Sequence, residues 1–180
     1  MLLLYIFLLV LLFSSVPYLI LMIRRGRAAA ELRERLHRAG CEFFGRGIWY
    51  MGGIDGRRAE FCVRFDGRVI SVKVIGFLSA GTAVHFESPE SYLMKALKPS
   101  ETDAPLSAYK RHKKKPYDFT SVIPKEWSSL PTARVILVMD PYPEKLTRPI
   151  PSGEKRLSIG DNAGEGELYD AASFAGLFTK

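Results

Sequence analysis

The pattern of hydrophobic and polar positions divides the chain after residue 23. Residues 1–23 form one apolar run, MLLLYIFLLVLLFSSVPYLILMI, without a charged side chain. As a helix that rises about 1.5 Å per residue, this run would measure about 34 Å, more than the roughly 30 Å hydrocarbon core of a bilayer. In lipid, a helix satisfies its own backbone hydrogen bonds. The pattern therefore predicts a transmembrane helix over 1–23.

The charges that flank this run predict an uncleaved anchor and its orientation. A signal peptide begins with a charged region and has a shorter apolar core, whereas here no Lys or Arg precedes the run. Several arginines follow it at once: Arg24, Arg25, Arg27, Arg33, Arg35 and Arg38. Because basic flanks stay in the cytoplasm, we expect the N-terminus outside and the C-terminal domain in the cytoplasm. The expected location is a cell inner membrane or plasma membrane, crossed once.

A basic juxtamembrane helix is predicted directly after the anchor, over 24–40. Residues 27–39, RAAAELRERLHRA, are strong helix formers without proline, and a glycine follows them. Two interpretations of Arg24, Arg25 and Arg27 stay open. Their side chains either contact anionic lipid headgroups or act only as topology determinants on a solvated helix.

The remaining residues, 41–180, have the composition of a soluble domain, and their pattern predicts a small mixed α/β fold. The clearest local signal is Asp66-Gly67 between two strand-like runs, AEFCVRF and RVISVKVIGF, which is typical of a β-hairpin. A two-residue turn fixes the register and pairs Val63 with Ile70. The face that carries this pair is apolar and is expected to form the core.

Shorter patterns predict the other elements of the domain. We expect strands over 47–51, 82–88, 133–140 and 156–160, and helices over 90–97 and 167–178. The strand over 82–88 would be the third of a meander, and His85, which alternates away from its apolar neighbours, is expected at the surface. The run over 133–140 is nearly all apolar, as is typical of a central strand that is buried on both faces.

Much of the formal net charge of +7 comes from two local blocks. One is the arginine block after the anchor, and the other lies within residues 98–131, which contain five prolines and are predicted to be a long loop with little regular structure. The basic run of this loop lies over 110–115 and contains Lys110, Arg111, Lys113, Lys114 and Lys115. They either bind anionic lipid, bind nucleic acid beside nearby aromatic rings, or belong to a solvated loop.

Few residues point to chemistry. The chain has no glycine-rich phosphate loop, no metal-ligand cluster and no order of Ser, His and Asp that is typical of a hydrolase. Cys41 and Cys62 are too few for a disulfide scaffold and fit a reducing compartment. Glu60 and Lys73 face each other across the predicted hairpin, and Ser71 precedes the lysine by two positions. An ordinary cross-strand ion pair, which contributes about 0.2–1 kcal/mol, explains Glu60 and Lys73 without any activity.

A long helix, a hairpin with a charged pair, a buried strand and a final helix together resemble the restriction-endonuclease-like fold. Within that fold the resemblance is to the nuclease-related domain, which often follows a membrane anchor in bacterial proteins. The resemblance implies an acidic ligand at Glu60, a catalytic lysine at Lys73 and Mg²⁺ between two carboxylates. The position of the second carboxylate holds Ser71, whose neutral hydroxyl is a poor ligand for Mg²⁺.

The sequence therefore predicts a non-enzymatic, membrane-tethered cytoplasmic module that binds a protein partner or anionic lipid and needs no cofactor. The alternative is a membrane-anchored nuclease, or a protein that binds nucleic acid, with a degenerate Mg²⁺ site at Glu60, Ser71 and Lys73. The biological process and the partner are not readable from these residues.

Overall fold

The computed structural model describes residues 2–45, 54, 56–77, 79–98, 101 and 104–178. Its helices are α1 (Leu2–Arg38) and α2 (Ala171–Gly176). Its strands are β1 (Glu42–Gly45), β2 (Phe61–Phe65), β3 (Arg68–Gly76), β4 (Thr82–Ser88), β5 (Ser91–Ala96), β6 (Lys110–Lys113), β7 (Thr132–Asp140), β8 (Lys145–Ile150), β9 (Gly153–Arg156) and β10 (Glu167–Tyr169). Two short 3₁₀ turns occupy Leu106–Ala108 and Lys125–Trp127. The strand expected over 47–51 lies outside the described residues.

The first part of α1 is long and apolar enough to cross a membrane. This stretch, Leu4–Arg24, buries no part of itself against the domain. Ser14 and Ser15, the two polar residues of the run, donate their hydroxyl protons to backbone carbonyls one turn earlier, at 3.0 and 2.8 Å. The chain therefore has a single N-terminal candidate membrane helix among its described residues.

The last turns of α1 belong to the globular domain. Leu32 and Leu36 are buried and pack in one apolar cluster with strands β3 and β7. The helix ends where the Cys41 N–H donates to the Leu36 carbonyl and Gly40 takes a positive φ of 73°. Glycine adopts that conformation without strain, so this is the Schellman end of a helix. The predicted helix end near residue 40 is confirmed.

The described strands form two five-stranded sheets. The first sheet has the strand order β1-β2-β3-β7-β10, and the second has the order β6-β5-β4-β8-β9. Helices α1 and α2 cover one face of the first sheet, where Phe174 packs in the same cluster as Leu36. Residues Ile75, Leu137 and Leu168 on the other face pack against the second sheet. The fold is therefore a three-layer arrangement of helices, sheet and sheet.

The hairpin and the central strand match the sequence predictions. Strands β2 and β3 pair in the expected register, with Val63 opposite Ile70, around Asp66-Gly67. Strand β7 lies between β3 and β10, runs parallel to both, and is buried on both faces from Ile136 to Met139. The expected mixed α/β domain is confirmed at this level.

Two predictions about residues 82–97 are wrong. Strand β4 is not the third strand of a meander, because the chain crosses after β3 into the second sheet. The helix expected over 90–97 is absent, because Ser91–Ala96 form strand β5, which pairs antiparallel with β4. Tyr92 and Met94 face the core between the sheets, while Leu93 pairs with His85 on the other side. This two-residue alternation outweighs the helix propensity of the segment.

Three other elements differ from prediction in extent. The loop expected over 98–131 contains strand β6, because the free edge of β5 offers backbone groups that the basic run pairs with. The strand expected over 156–160 lies earlier, as β9, in a hairpin with β8. Residues 167–178 begin as β10, and the helix starts only after Asp170, whose carboxylate accepts from the Ser173 N–H at 2.6 Å and caps it.

Two parallel arches connect the sheets. One arch follows Gly76, at the end of β3, and leads into β4 at Thr82; the other follows Asp140, at the end of β7, and leads into β8 at Lys145. The arches are hydrogen-bonded to each other, from the Phe77 N–H to the Asp140 carbonyl at 2.9 Å and from the Glu144 N–H to the Ala80 carbonyl at 2.8 Å. Both arches therefore lie side by side at one end of the sandwich, which we call the arched end.

The first prediction tests whether the end of α1 is part of the core. Leu36→Ala should lower the free energy of unfolding by about 2–5 kcal/mol, because it leaves a cavity under the helix. His37→Ala, one position later on the exposed side, should change it by less than about 0.5 kcal/mol. Urea unfolding of the full chain in detergent micelles measures both. Equal stability of Leu36→Ala and His37→Ala would contradict the packing.

Candidate functional site

The Glu60–Lys73 pair predicted from the hairpin register is present and buried. One carboxylate oxygen of Glu60 lies 3.4 Å from Lys73 Nζ, and the other accepts from the Val74 backbone N–H at 2.5 Å. Lys73 Nζ also donates to the Arg58 carbonyl at 3.0 Å. The Lys73 side chain has 0% exposure. Burial removes the hydration of both charges, so each depends on the other far more than in an exposed pair.

A covering segment closes the face of the sheet that carries this pair. The Ser71 hydroxyl, on the same face as Lys73, donates to the Phe119 carbonyl at 3.0 Å. Val122 is buried in a small cluster with Cys62, whose thiol donates to the Val122 carbonyl at 3.3 Å. The three residues that the nuclease resemblance singles out therefore lie beneath residues 117–130.

The residues at this position do not fit an Mg²⁺ site. Glu60 is the carboxylate of the pair, and its oxygens already accept from the Val74 N–H and the Lys73 ammonium group. Ser71 donates its proton to a carbonyl and brings no negative charge. No group of three His, Cys, Asp or Glu side chains that could hold a metal ion occurs in the described part of the chain. The geometry supports a structural role for Glu60, Ser71 and Lys73.

Lys114 is a second buried lysine, although it was expected at a ligand-binding surface. Lys114 was predicted, with its basic neighbours, to contact lipid or nucleic acid, but its side chain has 0% exposure. Its ammonium group contacts the Glu165 carboxylate and donates to the Pro89 carbonyl at 2.7 Å. Lys114 is therefore not available to contact lipid or nucleic acid, because its ammonium group is buried and bonded to two groups of the domain itself.

Tyr117 lies between the two buried lysines. Lys114 Nζ is 4.0 Å from the centre of its ring, and Lys73 Nζ is 5.5 Å away. The Tyr117 hydroxyl donates to the Ile54 carbonyl at 2.8 Å, and its N–H donates to Glu165 at 2.8 Å. We call Glu60, Lys73, Tyr117, Lys114 and Glu165 the ionic network. It combines charge pairing with cation–π contact, which strengthens as water is excluded.

The rest of the basic run lies on an edge strand. Lys110, Arg111 and Lys113 belong to β6, the outermost strand of the second sheet, and they are exposed. Arg111 forms an ion pair with Glu87 at 2.6 Å. Lys115 follows the strand and is also exposed. Of the basic residues named at the start, Arg24 and Arg27 are exposed as well, whereas the side chain of Arg25 lies outside the described set.

The sequence analysis missed the structural roles of two residues, His85 and Glu165. His85, expected at the surface, is buried, and its Nδ1 lies 2.8 Å from Thr147 Oγ1 on the neighbouring strand β8. Nothing in the local alternation reveals that both faces of β4 are covered. Glu165 was missed too, although the acidic stretch around it and the basic run around Lys114 carry opposite charge. That complementarity was a usable signal.

Comparison with family models, with curated proteins and with solved structures finds no match to this chain. Function must therefore be read from the chain's own residues.

The second prediction tests the coupling within the ionic network. Lys73→Met should lower the free energy of unfolding by about 3 kcal/mol or more, because it leaves the Glu60 carboxylate buried without its cation. Glu60→Gln combined with Lys73→Met should cost less than Lys73→Met alone, since glutamine keeps an acceptor for the Val74 N–H. Lys113→Met, at an exposed lysine, is the matched control and should be close to neutral.

Urea unfolding of the full chain in micelles measures all three variants. If Lys73→Met were as stable as Lys113→Met, or if the double variant were no more stable than Lys73→Met, the buried pair would not be coupled as described.

The third prediction concerns the thiols. Burial raises the pKa of Cys62 to about 11 and raises the pKa of Cys41 above its usual value. At pH 8, Cys62 should therefore hold about one thiolate in a thousand and react very slowly with maleimide. Its reactivity should increase as the pH approaches 11. Mass spectrometry after a short maleimide pulse should find both thiols unlabelled in the folded chain and labelled in urea; rapid labelling of folded Cys62 would contradict its burial.

Proposed function

We propose that this chain is a non-enzymatic module tethered to a cell inner membrane or plasma membrane, with its N-terminus outside and its domain in the cytoplasm. On this proposal the domain binds a protein partner or anionic lipid. The observation that carries the proposal is the continuity of α1, which runs without a break from its exposed apolar stretch to Leu32 and Leu36 in the core.

This continuity favours a positional function. An anchor joined to its domain by a flexible linker lets the domain sample many orientations. Here no linker separates them, because the candidate membrane span ends at Arg24 and the first core leucine follows eight residues later. A domain fixed in this way presents the same surfaces to the bilayer and to the cytoplasm at all times, which suits a docking module.

The orientation rests on the basic residues that follow the apolar stretch. Exposed Arg24 and Arg27 come directly after this uncharged run. Retention of basic flanks on the cytoplasmic side supports a cytoplasmic domain. The buried, protonated thiols of Cys41 and Cys62 are compatible with a reducing compartment.

The surroundings of Glu60, Ser71 and Lys73 support a non-catalytic domain. A nuclease needs its carboxylates and lysine beside an open channel for nucleic acid, but here these side chains are engaged with one another and with backbone carbonyls. The likeness to the restriction-endonuclease-like fold is then one of architecture, in the long helix, the hairpin, the buried strand and the final helix. We propose it at that level only.

The fourth prediction tests tether and orientation together. The full chain, expressed in bacterial cells, should stay in the membrane pellet after alkaline extraction. A cysteine at exposed Ser152 should react with a membrane-impermeant maleimide only after the cells are permeabilised, whereas Leu2→Cys should react in intact cells. The native thiols contribute little background because they are buried. Recovery in the soluble fraction, or a mature chain that begins after the apolar run, would remove the tether.

The non-enzymatic part has its own test. Purified full-length chain in lipid nanodiscs should leave DNA and RNA intact in the presence of Mg²⁺ or Mn²⁺. Cleavage that Glu60→Gln and Lys73→Met abolish, and that Lys113→Met retains, would overturn this part of the proposal in favour of the nuclease. Salt-sensitive binding without cleavage, lost on neutralising Lys113 and Lys115, would instead favour a nucleic-acid-binding module.

A further inference from the structure

The position of α1 on the first sheet determines which end of the domain lies closest to the candidate membrane span. After α1 ends at Arg38, Glu42 of β1 pairs with Arg64, which pairs with Val69 near the start of β3. The end of α1 therefore lies beside the start of β3. Since Leu32 and Leu36 pack along β3 and β7, the earlier turns of α1 lie towards the ends of these strands.

The lengths of helix and strand agree with this direction. From Arg24 to Arg38, α1 extends about 21 Å at about 1.5 Å per residue. From Val69 to Gly76, β3 extends about 23 Å at about 3.3 Å per residue. The last residue of the candidate span is thus level with the end of β3.

Asp140, at the end of β7 and opposite Gly76, provides a second measure of this level. Burial raises the pKa of the Asp140 carboxyl group, and the charge of Arg24 acts against that increase. Glu31, two turns further along α1, also acts on Asp140 and raises its pKa. Arg24 and Glu31 can both influence this carboxyl group only if this part of α1 passes the end of β7.

The two arches begin at this level, directly after Gly76 and Asp140. The arched end of the first sheet therefore lies at the level where the candidate span would leave the bilayer. Strands β4 and β8 begin where the arches end and pair in parallel, so the second sheet extends away from the arched end.

Four exposed arginines lie near the arched end, whose second arch also carries the exposed Glu144. Arg24 and Arg27 are exposed on α1. Arg57 and Arg58 are exposed just before β2, and the Arg58 carbonyl accepts from Lys73, only three residues from the end of β3. Backbone pairing with Asp118 holds this segment in place. We call Arg24, Arg27, Arg57 and Arg58 the arginine collar.

Lys113, at the end of β6, and the lysines that follow it lie at the opposite end of the second sheet. Strand β4 leaves its arch at Thr82 and reaches Ser88 about 20 Å away. Lys113 pairs with Ser91 at that far end, and Lys114 donates to the Pro89 carbonyl there.

We infer that the arched end of the sandwich is seated on the bilayer surface and that the arginine collar binds the phosphate groups of anionic lipids there. This inference rests on the proposed tether and names the lipid-binding surface. The occupant is the headgroup layer of the membrane that α1 crosses, since the helix carries the arched end to it and the collar has the complementary charge. Lys113, Lys114 and Lys115, at the far end of the second sheet, take no part in this contact.

The test uses the full chain in nanodiscs whose lipids carry a nitroxide on the headgroup. A bimane fluorophore is attached at Ala80→Cys, in an arch, or at Ser152→Cys, in the hairpin turn at the far end of β8. Both positions are exposed, and neither substitution changes the charge. Quenching should be several-fold stronger at position 80 than at position 152, and stronger in anionic than in neutral nanodiscs.

Two matched charge variants then identify the binding residues. Arg57→Gln with Arg58→Gln should weaken the docked state in anionic nanodiscs by roughly 30-fold and reduce quenching at position 80. Lys113→Gln with Lys115→Gln removes the same charge and should leave quenching unchanged. Sensitivity to the lysine pair but not to the arginine pair would overturn the assignment and return lipid binding to the basic run.

The remaining outcomes separate this inference from the proposed tether. Equal quenching at positions 80 and 152 in a chain retained by the nanodiscs would overturn the seating while leaving the tether intact. Strong quenching at position 80 that is the same in neutral and anionic nanodiscs would overturn lipid binding by the collar. Failure of the chain to enter nanodiscs at all would overturn the tether itself.

Discussion

Leu32 and Leu36 attach α1, whose first part is apolar and exposed, to a sheet, and the arrangement of the domain on the helix depends on that contact. Their burial on β3 and β7 makes α1 one layer of the domain. The Schellman end at Gly40 then returns the chain into β1, so the helix cannot swing away without breaking the edge of the sheet. Any force on the apolar stretch is transmitted directly to the core, since no flexible residue run lies between them.

The ionic network holds the other side of the sheet in a comparable way. Two lysines are enclosed, and each has a carboxylate and a backbone carbonyl as partners, so the desolvation of the charges is offset within the domain. Glu165 links the segment before β10 to Lys114 and to the Tyr117 N–H. Segments distant in sequence are thereby fastened onto one sheet, which explains why residues 117–130 stay in place with little regular structure.

Local patterns allowed some elements to be predicted and concealed others. The hairpin register followed from Asp66-Gly67, and the buried strand over 133–140 followed from its apolar run, because both depend on neighbours in sequence. The second sheet could not be predicted, because tertiary packing and not the local sequence decides which layer β4 and β5 join. The same reason hid His85 and Lys114. Strands and loops far along the chain bury both side chains. The local alternation of apolar and polar residues therefore gives no sign of their burial.

The exposed lysines of β6 have a physical role that needs no ligand. Strand β6 is an outer strand of the second sheet, and a free edge presents backbone groups that can pair with another chain. Charged side chains at Lys110, Arg111 and Lys113 disfavour such pairing, because two copies would bring like charges together. On the proposed tether this protection matters more, since confinement to a membrane would raise the effective concentration of copies. The two groups of basic side chains then have different roles: those of β6 oppose pairing between copies, and the arginine collar is proposed to bind lipid.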